Sequence, residues 1–150
     1  MPEPIITFLA SFLVWFMFLG LLALWIIDGK LKKEQAMHAF ASAIVAWSIA
    51  QMIKTLMPIP RPFSLNGNRV LTLTQPIDGA FPSTHTAIAF AIGIAVFLHD
   101  KRYGAIFLVA SLLVGAGRVL GNVHYPVDIL GGAAIGGVVA IAMGKVHFKT

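Results

Sequence analysis

The chain has 150 residues, of which 58% are hydrophobic and 11% charged, against roughly 25% charged in a typical soluble domain. So few charges cannot clothe a water-soluble surface, and one lipid-facing domain over residues 1–150 is expected. Cysteine is absent, which excludes disulfides, thiolate zinc sites and a cysteine nucleophile; the positions of the basic residues say more than the net charge of +5, and no nucleic-acid partner is expected. A membrane crossing needs roughly 20 mainly apolar residues. The first such run covers residues 4–27, and Pro2 and Glu3 replace the basic start of a cleavable signal, so it reads as a retained anchor. The second covers residues 36–57, interrupted by Gln51 and Lys54 near its end.

Pro58, Pro60 and Pro62 then stop any helix, because proline lacks the amide donor and clashes with the preceding turn. A loop through Phe81 is predicted, with turns at Asn66-Gly67 and Asp78-Gly79. A third, short run covers residues 83–99, a fourth 103–120 and a fifth 126–146. The pattern predicts an all-α polytopic bundle of about five transmembrane helices. In the fifth run Gly132, Gly136 and Ala140 stand four apart, which predicts a close helix-packing face.

Alternating crossings put Lys30, Lys32, Lys33, Lys101, Arg102, Lys145 and Lys149 on one side, which the excess of basic residues makes cytoplasmic, together with the C-terminus. The other side keeps Lys54, Arg61, Arg69 and Arg118. Ionisable residues near the bilayer interior are costly and mark function. Here they form three groups: Lys54 with Arg61-Pro62, then Pro82-Ser83-Thr84-His85, then Arg118 with His124 and Asp128.

Lys54, Arg61 and Arg118 would repel one another unless an anion sat between them, and arginine's fork suits phosphate oxygens. Ser83 occupies a helix N-cap position, where free amides and the helix dipole add anion affinity. These groups predict a phosphate cradle. Asp128 can bind one ring nitrogen of His124 and leave the other with its lone pair outward, as a nucleophile requires, while His85 is free to act as an acid. Other polar residues read more plainly: His38, His99 and His147 as interfacial, Arg69 as a solvated loop or headgroup contact, and Asp78-Gly79 as a turn. A metal held by His85, His124 and Asp128 is the rival, but three neighbouring cations oppose it, so neither metal nor cofactor is expected.

The three ordered blocks, Lys54-(six)-Arg61-Pro62, Pro82-Ser83-Thr84-His85 and Arg118-(five)-His124-(three)-Asp128, resemble the signature of the type 2 phosphatidic acid phosphatase superfamily. The resemblance implies a phosphohistidine formed on His124, oriented by Asp128, with His85 protonating the leaving group. It implies phosphoryl contacts from Lys54, Arg61, Ser83, Thr84 and Arg118, and no metal. The family usually has glycine at the position of Thr84, serine at that of Gly117, and six helices, so the cradle's shape and the groove's outer wall depart from its pattern.

The resemblance implies hydrolysis of a lipid phosphate or diphosphate at the outer face of the plasma (bacterial inner) membrane. A polyprenyl carrier such as undecaprenyl diphosphate leads, with phosphatidic acid or phosphatidylglycerol phosphate next, and a homo-oligomer is compatible. A non-catalytic lipid-binding or transport protein would need only the cations; His85, His124 and Asp128 argue against it. The vanadate haloperoxidases have a similar anion site but are soluble, which this composition is not.

Overall fold

A computed structural model describes residues 1–26 and 33–146. Helix α1, Glu3–Ile26, contains one π-helical turn at Phe8–Phe12. It is followed by α2 (Lys33–Leu56), the short α3 (Pro62–Asn66), α4 (Thr84–His99), α5 (Lys101–Leu120) and α6 (Pro126–Met143). The fold is an all-α membrane bundle, and among the described residues α1, α2, α5 and α6 are long and apolar enough to cross a bilayer. Large apolar side chains such as Trp15, Leu19, Phe40, Trp47, Leu130 and Val138 cover the outside.

Helix α4 has 16 residues, about 24 Å of rise against a hydrocarbon core of roughly 30 Å. Its place explains how so short a helix fits: it packs against α2, α5 and α6 and buries Ala89, Ala91, Ile92, Ala95 and Val96, so protein rather than lipid surrounds much of it. The small residues of α6 allow that closeness. A Cβ added to Gly132 would lie 2.5 Å from the Ser83 carbonyl oxygen, and one on Gly136 2.4 Å from that of Ala87. This is the packing face read from the sequence.

Three features depart from expectation. Residues 62–66 form a helical turn inside the predicted loop, because Pro62 sits at the first helical position, where its missing amide costs nothing, and Gly67 closes the turn at φ 67°. The last helix ends at Met143, short of residue 146. His38 is buried rather than interfacial, with its ring stacked on His99 at 5.5 Å between centroids. Arg69 is exposed as predicted and pairs with exposed Glu3 at 3.1 Å. Ile27, Lys30, Lys32, His147 and Lys149 lie outside the described residues.

Candidate active site

The first block meets a partner that its spacing does not reveal. Lys54, in the last turn of α2, and Arg61, the N-cap of α3, are 2% and 4% exposed. Both cations turn toward the segment Asp78-Gly79. Lys54 Nζ donates to the Gly79 carbonyl at 2.7 Å and lies 3.4 Å from Asp78 Oδ2. Arg61 Nη2 donates to Asp78 Oδ1 at 2.7 Å, and its Nε to the Asp78 carbonyl at 2.9 Å. The turn predicted at Asp78-Gly79 therefore also supplies a carboxylate between two of the cations. Burial alone would raise the Asp78 carboxyl, but the Lys54 charge and the Arg61 hydrogen bond hold it below the usual carboxylate range.

The second and third blocks are joined through backbone. The Ser83 amide donates to the Asp128 carbonyl at 3.0 Å, so it is not one of the open amides at the start of α4. Ser83 Oγ caps the helix, accepting from the Thr86 amide at 3.4 Å and from its hydroxyl at 2.9 Å. That leaves the amides of Thr84 and His85 as first-turn donors that no earlier turn of the helix can satisfy. Both residues are half-buried.

His124 and Asp128 adopt the predicted pairing: His124 Nδ1 is 3.1 Å from Asp128 Oδ2, and both side chains are buried. The same Oδ2 accepts the Tyr125 amide at 2.8 Å and so caps α6. His124 Nε2 lies 3.2 Å from Arg61 Nη1. An arginine can only donate, so Nε2 accepts and the ring proton sits on Nδ1, facing the carboxylate. The lone pair predicted to point outward instead receives a hydrogen bond from Arg61. Both ring nitrogens of His124 are thus engaged, Nε2 by a cation.

Arg118, in the last turn of α5, reaches α1: its Nη1 donates to the Ala10 carbonyl at 3.0 Å. Ala10 lies in the π turn, where the i→i+4 ladder is interrupted. Arg118 is 6% exposed, and its Nε has no hydrogen-bond partner among the described residues, which makes it an open, buried donor. Helix α1 is seated tightly here, because a Cβ on Gly117 would lie 2.7 Å from the Ala10 nitrogen. His85 lies within electrostatic reach of Arg118, His124, Lys54 and Arg61. Lys54, Arg61, Ser83, His124 and Asp128 are thus linked directly or through Asp78-Gly79, while, among the described residues, Thr84, His85 and Arg118 make no hydrogen bond to that network.

The charge arrangement sets the state of the ring. Burial, first, and then the charges of Arg118, Arg61 and Lys54 push the His124 ring down to about 4, against the opposing pull of the Asp128 hydrogen bond. Because this lies below the ordinary histidine value near 6.5, the neutral ring is favoured in the folded protein, and stability is expected to fall as pH drops from about 6.5 toward about 4. Nitrogen-15 NMR of labelled histidine, with His124→Ala to assign the resonance, should find this ring neutral at pH 5.5; a midpoint near 6.5 would refute the assignment.

The chain is similar along most of its length to several known proteins. It is 31% identical over 147 residues to undecaprenyl-diphosphatase BcrC of Bacillus subtilis (strain 168), covering 98% of this chain and 74% of that protein. It is 32% identical over 136 residues to the bacitracin transport permease protein BcrC of Bacillus licheniformis, covering 91% and 67%. The fold superposes on the crystal structure of Aquifex aeolicus LpxE with a TM-score of 0.77 at 28% identity, over 96% of this chain and 84% of that one. The PAP2 superfamily matches residues 35–150, a stretch that holds all three polar blocks, helices α3 to α6 and all but the first two residues of α2. The chain belongs to the PAP2 superfamily.

Proposed function

We propose that this protein is a lipid phosphatase that hydrolyses a polyprenyl diphosphate through a phosphohistidine on His124, with its site on the outer face of the membrane. One observation carries the chemistry: a buried, Nδ1-protonated imidazole is held by Asp128 and its unprotonated Nε2 lies among Arg61, Lys54 and Arg118. Binding needs only the cations. An oriented imidazole is what a nucleophile adds.

The entering phosphoryl group takes over the Arg61 Nη1 donor and frees the Nε2 lone pair. Its other oxygens meet Arg118 Nε, Lys54 Nζ and the amides of Thr84 and His85. Nε2 then attacks phosphorus, the bond to the leaving oxygen breaks, and His85 delivers a proton to that oxygen. Water, relieved of a proton by His85, cleaves the phosphohistidine and releases phosphate. Asp128 supports the positive charge that the ring acquires between the two steps.

The diphosphate substrate is favoured by the name of the Bacillus subtilis relative, and a phosphatidic acid or phosphatidylglycerol phosphate by the wider resemblance alone. The Bacillus licheniformis relative carries a transport name, yet transport gives no role to the His124–Asp128 pair. The outward orientation rests on the basic residues: Lys33, Lys101, Arg102 and Lys145 lie at the ends of helices opposite Lys54, Arg61 and Arg118.

The test is phosphate release from a panel of lipid phosphates in right-side-out and inverted membrane vesicles, with EDTA present. Release from the polyprenyl diphosphate on the outer face is expected, unchanged by EDTA and inhibited by orthovanadate. Strong EDTA sensitivity would favour the metal reading, and turnover confined to inverted vesicles would reverse the orientation.

A further inference from the structure

Arg61 presents five N–H groups, and the fold accounts for each. Nε donates to the Asp78 carbonyl at 2.9 Å; Nη2 donates to Asp78 Oδ1 at 2.7 Å and to the Gly79 carbonyl at 3.1 Å. Nη1 donates to the Val123 carbonyl at 2.7 Å and to His124 Nε2 at 3.2 Å. Four of these partners are backbone carbonyls or the Asp78 carboxylate, none of which takes part in the chemistry proposed above. The fifth and longest bond lies on the nitrogen that must be freed before it can attack. Only that donor is exchangeable.

We infer that Asp78 is a positioning residue for the phosphoryl site: by holding the Nε–Nη2 edge of Arg61 it leaves Nη1 as the one guanidinium nitrogen directed at the phosphorus that His124 attacks. The inference deepens the function proposed above and rests on it. Three cations crowd this site, and Lys54 and Arg118 both repel the Arg61 guanidinium. A buried arginine on a flexible stem would turn away from them without a fixed counter-charge. Asp78 supplies it twice over, since its second oxygen also faces Lys54 at 3.4 Å. A carboxylate so close to the cradle repels incoming phosphate, so its presence is explained by direction rather than by affinity for the anion.

The Asp78 side chain is 37% exposed, so an asparagine there stays hydrated, while the buried Lys54 and Arg61 lose their shared counter-charge. The binding of orthovanadate is measured by calorimetry on the full chain in detergent, for wild type, Asp78→Asn, Arg61→Lys and the double variant. Asp78→Asn is expected to weaken binding about tenfold, and in the Arg61→Lys background to add less than about twofold, because Asp78 acts through the arginine fork. Asp78→Glu keeps the charge on a longer stem, is carried alongside as a second folded test, and is expected to show the same coupling. Unchanged or tighter vanadate binding in either variant, or losses that simply multiply with Arg61→Lys, would overturn the inference. A wild-type protein that binds no vanadate would sink the phosphatase reading instead.

Discussion

Replacing His124 with alanine is expected to reduce phosphate release by at least about 10⁴-fold and to leave the protein folded. The loss is large because no other described side chain combines a deprotonated nitrogen with an aligned carboxylate in this centre. The arginines and Lys54 would still bind the substrate, so its affinity should change far less than its turnover. Folding should survive because each neighbour keeps another partner. Arg61 Nη1 still has the Val123 carbonyl, and Asp128 Oδ2 still has the Tyr125 amide. Rapid acid-free quenching with radiolabelled substrate gives a direct check: wild type should carry acid-labile, base-stable phosphate on protein, and the variant none. Label retained on the variant would move the nucleophile elsewhere.

Gly117→Ser, which installs the residue usual for the superfamily pattern, is expected to destabilise this protein by about 2–4 kcal/mol. The new Cβ would lie 2.7 Å from the Ala10 nitrogen and from Leu9 Cβ, and 2.8 Å from the Leu9 carbonyl carbon. Two of these are backbone atoms that cannot rotate aside, so α1 must withdraw. Withdrawal opens the 3.0 Å bond from Arg118 Nη1 to Ala10 and leaves a buried guanidinium with less support. Thermal unfolding in detergent should therefore show a lower midpoint, with weaker vanadate binding in the same preparation. A serine variant as stable as wild type would show that α1 is not seated against α5 in this way. The glycine allows a closer first helix, which is a physical reason for the departure noted in the sequence.

Much of the bundle was legible because apolar length is a local property. The runs at residues 36–57, 83–99 and 103–120 differ from the observed helices by only a few residues at their ends. The His124–Asp128 pairing was legible for the same reason, since both flank the start of one helix and Pro126 fixes where it begins. Asp78 was not. An Asp-Gly pair is sufficient as a turn signal, and nothing local shows that its carboxylate reaches cations 17 and 24 positions earlier, the separations of Arg61 and Lys54 from residue 78. The bond from Arg118 to Ala10 spans 108 positions and depends on a π turn that its apolar sequence does not announce. Contacts of that kind arise from packing, and packing was visible only in outline, through the small residues of α6.

Asp128 has three separate obligations at one position. Its Oδ2 accepts both the His124 ring at 3.1 Å and the Tyr125 amide at 2.8 Å, and its carbonyl accepts the Ser83 amide at 3.0 Å. Because one oxygen serves both ring and helix start, an asparagine could mimic the geometry by placing its own oxygen there, whereas glutamate would overshoot both donors. Evolutionary drift at this position is thereby confined: a lineage that abandons catalysis has an easy first step to asparagine that keeps the scaffold whole, and inactive descendants of this architecture should be sought by that signature.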